Sequence, residues 1–160
     1  MATASGDAIR KIHLSWESVA EAVDRLVEKL PGDYDALLVV TRGGMVPACL
    51  ISEKTGMRNI LVAAVMFYDD VEHRIEQPTF LQFPPDPFLK GKRILVVDDV
   101  WDTGRTVMAV RQRVLEAGGR PEVAVLHYKP SRSLFPEQKP DYYDQVIEQW
   151  IVYPWEPDGV

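Results

Sequence analysis

One stretch of thirteen residues, ILVVDDVWDTGRT at positions 94–106, constrains this chain more than any other. Four apolar residues, typical of a buried strand, run directly into the two carboxylates of Asp98 and Asp99. A third carboxylate, Asp102, precedes a turn with the composition of a helix start. The turn consists of Thr103, Gly104, Arg105 and Thr106. This order predicts that the end of a buried strand and the N-terminus of a helix meet around a cluster of acids.

The same stretch has the chemistry of a site for a phosphorylated sugar. The first turn of a helix carries unpaired backbone N–H groups and the positive end of the helix dipole, which both attract phosphate. Gly104 allows close approach of the backbone, and Thr103 and Thr106 add hydroxyl donors. Carboxylates such as Asp98 and Asp99 accept hydrogen bonds from sugar hydroxyls or help to hold Mg²⁺. We therefore expect a phosphate cradle next to a sugar-binding acidic pair.

Each part of this stretch also has a simpler interpretation. A lone TGxT before a helix is usually a turn and a cap, and two acids at the end of a strand often form a solvated turn. The sequence Val-Val-Asp-Asp is also common in response regulators and kinases. The complete string is much less ambiguous than its parts, and neither GxxxxGK[ST] nor GxGxxG occurs in the chain. A site for a phosphorylated sugar is therefore the better interpretation.

Composition bounds the class of protein and its partners. With 160 residues, 46% of them hydrophobic, the chain is predicted to form one domain over residues 1–160. The net charge of −6 argues against broad nucleic-acid binding, because phosphate backbones require cations. The single cysteine, Cys49, excludes an internal disulfide and is expected to be a small buried residue. Without a secretory or membrane-spanning stretch, the protein is expected to be cytoplasmic and to bind no membrane.

Hydrophobic patterns predict alternating strands and helices. The predicted helices cover about 16–30, 46–54 and 104–117, and the predicted strands 36–40, 60–67, 94–97 and 122–127. This alternation indicates an α/β fold with a doubly wound, mostly parallel sheet flanked by helices. Ligands of such sheets bind at the carboxyl ends of the strands, where both Gly43-Gly44 and the 98–106 segment fall. Segment 68–90 is predicted to be a long loop, functional or disordered.

A second motif, Thr41-Arg42-Gly43-Gly44, follows the first strand of this sheet. The glycines let the backbone approach an anion, and the planar guanidinium of Arg42 can bind phosphate oxygens. Taken alone, the motif is equally well explained as a tight turn. Beside the 94–106 stretch it indicates a second place for phosphate.

Together these motifs resemble the type I phosphoribosyltransferases. TRGGMVP is similar to the SRGGLVP form of bacterial xanthine-guanine phosphoribosyltransferases, and the segment around Trp150 is similar to their TWIEQPWD ending. The resemblance covers about Leu14 to Asp158. It implies a small hood formed by the chain ends, including residues 129–158, and a homodimer or homotetramer. Residues 41–44 become the pyrophosphate loop, commonly with a non-proline cis peptide.

The resemblance also implies a reaction and a role for each residue. The 5-phosphoribosyl group of phosphoribosyl pyrophosphate would be transferred to N9 of a purine, giving a nucleoside monophosphate. Asp102 would be the general base, and Arg74, in the flexible loop, would bind the leaving pyrophosphate. Asp98 and Asp99 would bind the ribose and hold Mg²⁺ mainly through substrate or water. Residues 103–106, Arg105 included, would anchor the 5′-phosphate.

Three residues of the tail would recognise the base. Trp150 would stack on the purine, Ile151 would offer main-chain hydrogen bonds, and Lys129 would donate to the exocyclic O6 that distinguishes 6-oxopurines from adenine. Trp155 is expected to be a packing residue or a subunit contact. Departures from the family are Arg105 within the TGxT turn, the proline-rich part of 68–90 and the short hood, and they bear on base selectivity.

Three other interpretations stay open at this point. A protein of this fold can sense phosphoribosyl pyrophosphate and regulate transcription or bind RNA without turnover. An enzyme of the same fold can use another nucleobase, such as adenine or a pyrimidine. A flavodoxin-like receiver would explain the acidic strand end but neither residues 41–44 nor the tail.

Overall fold

The computed structural model describes residues 10–69 and 76–157. A central sheet of six strands has the order β4-β3-β2-β5-β6-β7, and a separate two-stranded sheet joins β1 to β8. The strands are β1 (Lys11–His13), β2 (Ala36–Val40), β3 (Ile60–Asp69), β4 (Glu76–Gln82), β5 (Arg93–Trp101), β6 (Arg120–Tyr128), β7 (Tyr142–Val146) and β8 (Trp150–Val152). The helices are α1 (Trp16–Lys29), α2 (Met45–Thr55) and α3 (Arg105–Glu116), with a 3₁₀ turn at Asp86–Phe88.

The central sheet is parallel except at one edge. Strands β3, β2, β5, β6 and β7 run parallel to their neighbours, and β4 returns antiparallel to β3. Apolar side chains alternate between the two faces of each central strand. Leu37 and Leu95 join the core under α1 and α2, whereas Leu38 and Val96 join the core under α3. Helices therefore cover both faces, which confirms the predicted doubly wound α/β fold.

The predicted helices and strands are confirmed with small shifts at their ends, but β5 is longer than expected. It continues through Asp98 and Asp99 to Trp101 because the ladder with β6 continues past the acids, pairing Val100 with His127 and Trp101 with Tyr128. The acidic pair thus lies within the end of a strand, and only Asp102 begins the turn.

Segment 68–90 is not one loop. Residues 76–82 form β4, which pairs with β3 from Ala64 to Asp69, and the 3₁₀ turn follows. Pro78 is tolerated there because β4 is an edge strand. Strand β4 was predicted as part of a loop because Pro78 and the charged residues before it interrupt the alternation of apolar and polar residues that indicates a strand.

The structure corrects the expected burial of Cys49 and the expected extent of the hood. Cys49 is exposed, because it lies on the outer side of α2 while Ala48 and Ile51 face the core. The hood expected from both chain ends is confirmed in the β1–β8 pair, where Ile12 lies beside Ile151. Strand β7, however, lies in the central sheet, so residues 129–158 are not all part of the hood. In the described part of the chain, no helix has the length and apolarity to cross a membrane.

Candidate active site

The loop after β2 returns tightly to its own strand. The Gly44 amide donates to the Val40 carbonyl at 2.8 Å, and the Met45 amide donates to the Arg42 carbonyl at 3.0 Å. The peptide bond between Thr41 and Arg42 is cis, as the family resemblance implied. The Arg42 side chain is exposed, at the mouth of a cleft.

Both glycines of this loop lie against the end of β5. A Cβ atom on Gly43 would meet carboxylate atoms of Asp99 at 2.5 Å, and one on Gly44 would meet the Val97 carbonyl oxygen at 2.3 Å. No other residue fits at either position without movement of the backbone or of the acid. The two glycines therefore allow the Arg42 loop and the acidic pair to lie side by side.

The acidic pair lies in a poorly solvated place: Asp99 is buried, and Asp98 is partly exposed at the two cavities described below. Burial raises the pKa of Asp98 well above its ordinary value, and the neighbouring charge of Asp99 raises it further. Burial also raises the pKa of Asp99, although its carboxylate accepts a hydrogen bond from the Val100 amide at 2.7 Å. Hydroxyl donors or a cation at this pair would offset the cost of ionising both acids.

The predicted phosphate cradle opens α3. Gly104 has φ of 83°, in the left-handed region, and a Cβ there would meet the indole Nε1 of Trp101 at 2.2 Å. Trp101 is buried, and its N–H donates to Ser133 Oγ at 3.0 Å. The glycine therefore lets the turn pass over a fixed tryptophan, and the start of α3 lines a small cavity.

Two cavities share Asp98 as a lining residue. The smaller, of about 80 Å³, is lined by Asp102, Thr103, Gly104 and Thr106 and has the size of a single phosphate-like group. The larger, of about 560 Å³, is lined by residues from the Arg42 loop, the acids and the tail: Arg42, Gly43, Asp98, Asp99, Trp155 and Glu156. The two motifs predicted from sequence thus meet at one edge of the sheet.

Asp102 has a partner that the sequence did not indicate. Arg132 donates from Nε to Asp102 Oδ1, and both side chains are partly exposed. Thirty positions separate the two residues, and no spacing rule connects them. Only the fold reveals this ion pair.

The three residues predicted to bind the base lie close together, at the end of β6 and in β8. Lys129 is 5% exposed, and its Nζ lies 5.8 Å from the centre of the Trp150 ring. Trp150 is 46% exposed, as a stacking platform requires, and Ile151 is buried in β8. Whether these groups bind a base stays a prediction.

The structure gives different information on two further predicted residues, Arg105 and Arg74. The guanidinium of Arg105 lies 4.6 Å from the centre of the Phe67 ring, so its side chain packs on β3 while its main chain opens the cradle. Arg74, the predicted pyrophosphate ligand, lies outside the described residues.

The buried side chain of Tyr153 connects the tail to the acidic pair through hydrogen bonds. Tyr153 Oη lies 2.8 Å from His127 Nδ1 and 3.3 Å from the carbonyl oxygen of Asp99. Burial lowers the pKa of His127 to about 4, so the ring is neutral near pH 7. Tyr153 also stacks on Trp155, with ring centres 4.7 Å apart. Trp155 is thus a packing residue, as expected, and it also lines the larger cavity.

The acidic pair fits the Mg²⁺ that the family resemblance implies. Carboxylate oxygens are ligands that this ion prefers, and it commonly retains water or substrate oxygens in its shell. Within residues 10–69 and 76–157, no group of three or more metal-ligating side chains is found. A Mg²⁺ ion at this site would thus have two protein carboxylates as ligands, and oxygens of the substrate or of water would complete its shell.

Comparison with known proteins agrees with this geometry. A sequence profile of the phosphoribosyl transferase domain matches residues 5–158. A xanthine-guanine phosphoribosyltransferase of Idiomarina loihiensis is 33% identical to this chain, over 92% of the chain and 88% of that protein. A purine phosphoribosyltransferase of Pyrococcus horikoshii has a crystal structure with a TM-score of 0.82, at 37% identity, covering 94% of this chain and 97% of the other.

A Neisseria gonorrhoeae protein, solved with bound ppGpp, is also similar. Its TM-score is 0.81 at 26% identity, with 95% of this chain and 92% of the other covered. The profile, the curated relative and the solved structures all span nearly the whole chain. The chain therefore belongs to the phosphoribosyl transferase domain family and is an enzyme of the glycosyltransferase class.

Proposed function

We propose that this enzyme transfers 5-phosphoribosyl from phosphoribosyl pyrophosphate to N9 of a 6-oxopurine, which is guanine, xanthine or hypoxanthine. One observation carries the proposal: Asp98 lines both the cavity at the Arg42 loop and the cavity at the α3 turn. A ribose at Asp98 and Asp99 would thus have its pyrophosphate on one side and its 5′-phosphate on the other. The relatives named as purine enzymes support a purine as acceptor.

The residues have separate roles in this reaction. The amides of residues 103–106 bind the 5′-phosphate, and the acidic pair orients the ribose hydroxyls, which brings C1′ close to the base. Arg42 binds the pyrophosphate and stabilises the negative charge that grows as the C1′–O bond breaks. Mg²⁺, when bound, stabilises that same charge. We propose the same role for Arg74 as for Arg42.

The base is held by the tail and loses a proton to Asp102. Trp150 stacks on the purine, Lys129 donates to O6, and the main chain of Ile151 bonds the base edge. As N9 bonds to C1′, the proton on N7 passes to the Asp102 carboxylate. Lys129 favours a 6-oxopurine over adenine, because O6 accepts a hydrogen bond whereas the adenine amino group donates one.

A direct assay tests this proposal. The protein is incubated with Mg²⁺, phosphoribosyl pyrophosphate and each nucleobase singly, and nucleotide and pyrophosphate are measured. We expect equal amounts of both products with one or more 6-oxopurines, and neither without a base. Adenine or uracil as the sole productive acceptor would indicate an enzyme of another specificity. Tight binding of phosphoribosyl pyrophosphate without turnover, together with RNA binding, would favour a regulatory protein.

The Neisseria structure supports a second ligand for the same site. We propose that ppGpp, which combines a guanine with two diphosphate groups, competes with the substrates of this enzyme. Its guanine would occupy the Trp150 face, and a diphosphate would lie at the cradle or the Arg42 loop. The check is inhibition that weakens as phosphoribosyl pyrophosphate is raised. Inhibition no stronger than that by GDP would contradict a specific role.

A further inference from the structure

Residues 129–134, here called the bridging loop, lie along the segment that contains Asp102. The Lys129 amide donates to the Trp101 carbonyl at 3.0 Å, and the Leu134 amide donates to the Thr103 carbonyl at 2.9 Å. These two bonds flank Asp102 on both sides along the chain. The backbone of the bridging loop is therefore fixed relative to the proposed general base.

The opposite side of the bridging loop is joined to the base-binding strand. The Ser131 amide donates to a carboxylate oxygen of Glu148 at 3.3 Å, and its hydroxyl donates to the other oxygen. Glu148 precedes Trp150, the first residue of β8, by two positions. The bridging loop is thus held between the segment of the general base and the segment that stacks on the purine.

Arg132 is the residue of this loop that reaches Asp102. Its Nε donates to Oδ1, and the side chains are 55% and 35% exposed. Ion pairs exposed to this degree contribute little to folding, because water screens the attraction and holding two long side chains costs entropy. A planar guanidinium on one oxygen does, however, fix the direction of the carboxylate.

We propose that Arg132 is a positioning residue that holds Asp102 Oδ1 and leaves the second oxygen to receive the purine proton. This inference rests on the proposed function. In the step, the N9 lone pair bonds to C1′, the bond from C1′ to the pyrophosphate oxygen breaks, and the N7 proton passes to Asp102. Arg132 keeps its own proton throughout and contacts neither substrate.

The first test compares Arg132→Gln with a matched control, Arg111→Gln. Arg111 lies on α3 and contacts Gln138 at 3.3 Å, just beyond the bridging loop, but not Asp102. We expect Arg132→Gln to lower kcat by about 10- to 100-fold, the size of effect that follows from a misplaced reacting group, with the KM for phosphoribosyl pyrophosphate unchanged. The control should match the wild type, and all three proteins should have the same Tm.

The second test is a double-variant cycle with Asp102→Asn. If Arg132 acts through Asp102, Arg132→Gln should cause no further loss in the Asp102→Asn background, to within about twofold. An equal loss in both backgrounds would overturn the inference. So would a raised KM for phosphoribosyl pyrophosphate with normal kcat, because that pattern indicates direct substrate binding.

Failure of this inference is distinct from failure of the proposed function. A wild-type protein that turns over a 6-oxopurine, with an Arg132→Gln variant equally active, overturns only the role of Arg132. A wild-type protein without turnover on any purine overturns both.

Discussion

The phosphate side and the base side of this site are built differently. The phosphate side, residues 41–44 and 98–106, lies on the central sheet, where glycines are pressed against a carboxylate, a carbonyl oxygen and a buried tryptophan. The base side, residues 129–134 and 148–156, lies on connecting segments and on a sheet of two short strands, and its Trp150 is half exposed. Close packing fixes the parts proposed to bind phosphate, whereas the periphery presents the face proposed to select a base.

Replacing Asp102, the residue of the phosphate side that pairs with Arg132 of the base side, should have the largest effect. Asp102→Asn removes the proposed base with almost no change in shape, so we expect kcat to fall by about 10²- to 10⁴-fold, the usual contribution of general acid–base catalysis. Both KM values should change little. Steady-state kinetics with saturating substrates provide the measurement. A normal kcat would show that Asp102 is not the general base.

The second expected effect concerns the attachment of the base side to the acids. Because burial lowers the pKa of His127 to about 4, this residue binds more protons in the unfolded chain than in the folded one between that pH and about 6.5. The contribution of His127 to stability, which is fully present above pH 6.5, should therefore decline by about 2–3 kcal/mol as the pH falls to 4. The measurement is the free energy of unfolding in urea at several pH values.

The matched variant for this effect is His127→Gln, whose unfolding free energy should fall less than that of the wild type as the pH is lowered through that window. The level of stability can differ from the wild type, since only the slope is compared. The raised pKa values of Asp98 and Asp99 increase stability as the pH falls, which is opposite to the effect of His127. Both acids are present in both proteins, so their effect cancels in the comparison. Parallel curves for the two proteins would show that His127 does not titrate as expected.

The third prediction compares two glycines with the same backbone conformation. Gly104 and Gly56 have φ of 83° and 77°, but only the Cβ on Gly104 would meet another group, the Trp101 indole. We expect Gly104→Ala to lower stability by about 1–3 kcal/mol more than Gly56→Ala, because of overpacking beyond the shared backbone cost. Urea unfolding of both variants measures the difference. Equal losses would mean that Trp101 moves freely, and the phosphate side would not be rigid.

The smallest effect is expected on the base side itself. Trp150→Ala should weaken base binding by about 1–3 kcal/mol, the usual value of one stacked base, and leave the KM for phosphoribosyl pyrophosphate unchanged. Phe88→Ala, which removes an aromatic side chain exposed to a similar degree, is the control. A change in both KM values after Trp150→Ala would mean that the two sides are not separable.

Much of the fold was predictable because its signals are local. The apolar runs of β2 and β5 are buried on both faces, and the Ser15 cap of α1 is a side-chain bond to the Ser18 amide three positions on. Strands β1, β7 and β8 were missed because three- to five-residue strands with partly exposed, partly polar side chains carry no clear period. Their partners lie far along the chain, and pairing alone defines them.

The sequence by itself determined the chemical inventory: acids at the end of a buried strand, a glycine turn at a helix start, and an arginine–glycine loop after an earlier strand. Periodicity and turn composition act over a few residues, so they can be read in one dimension. Only the tertiary structure decided which of these groups share a cavity, that Arg132 holds Asp102, and that Tyr153 joins His127 to Asp99. Such contacts depend on how strands are ordered and how loops lie across them, which no local pattern encodes.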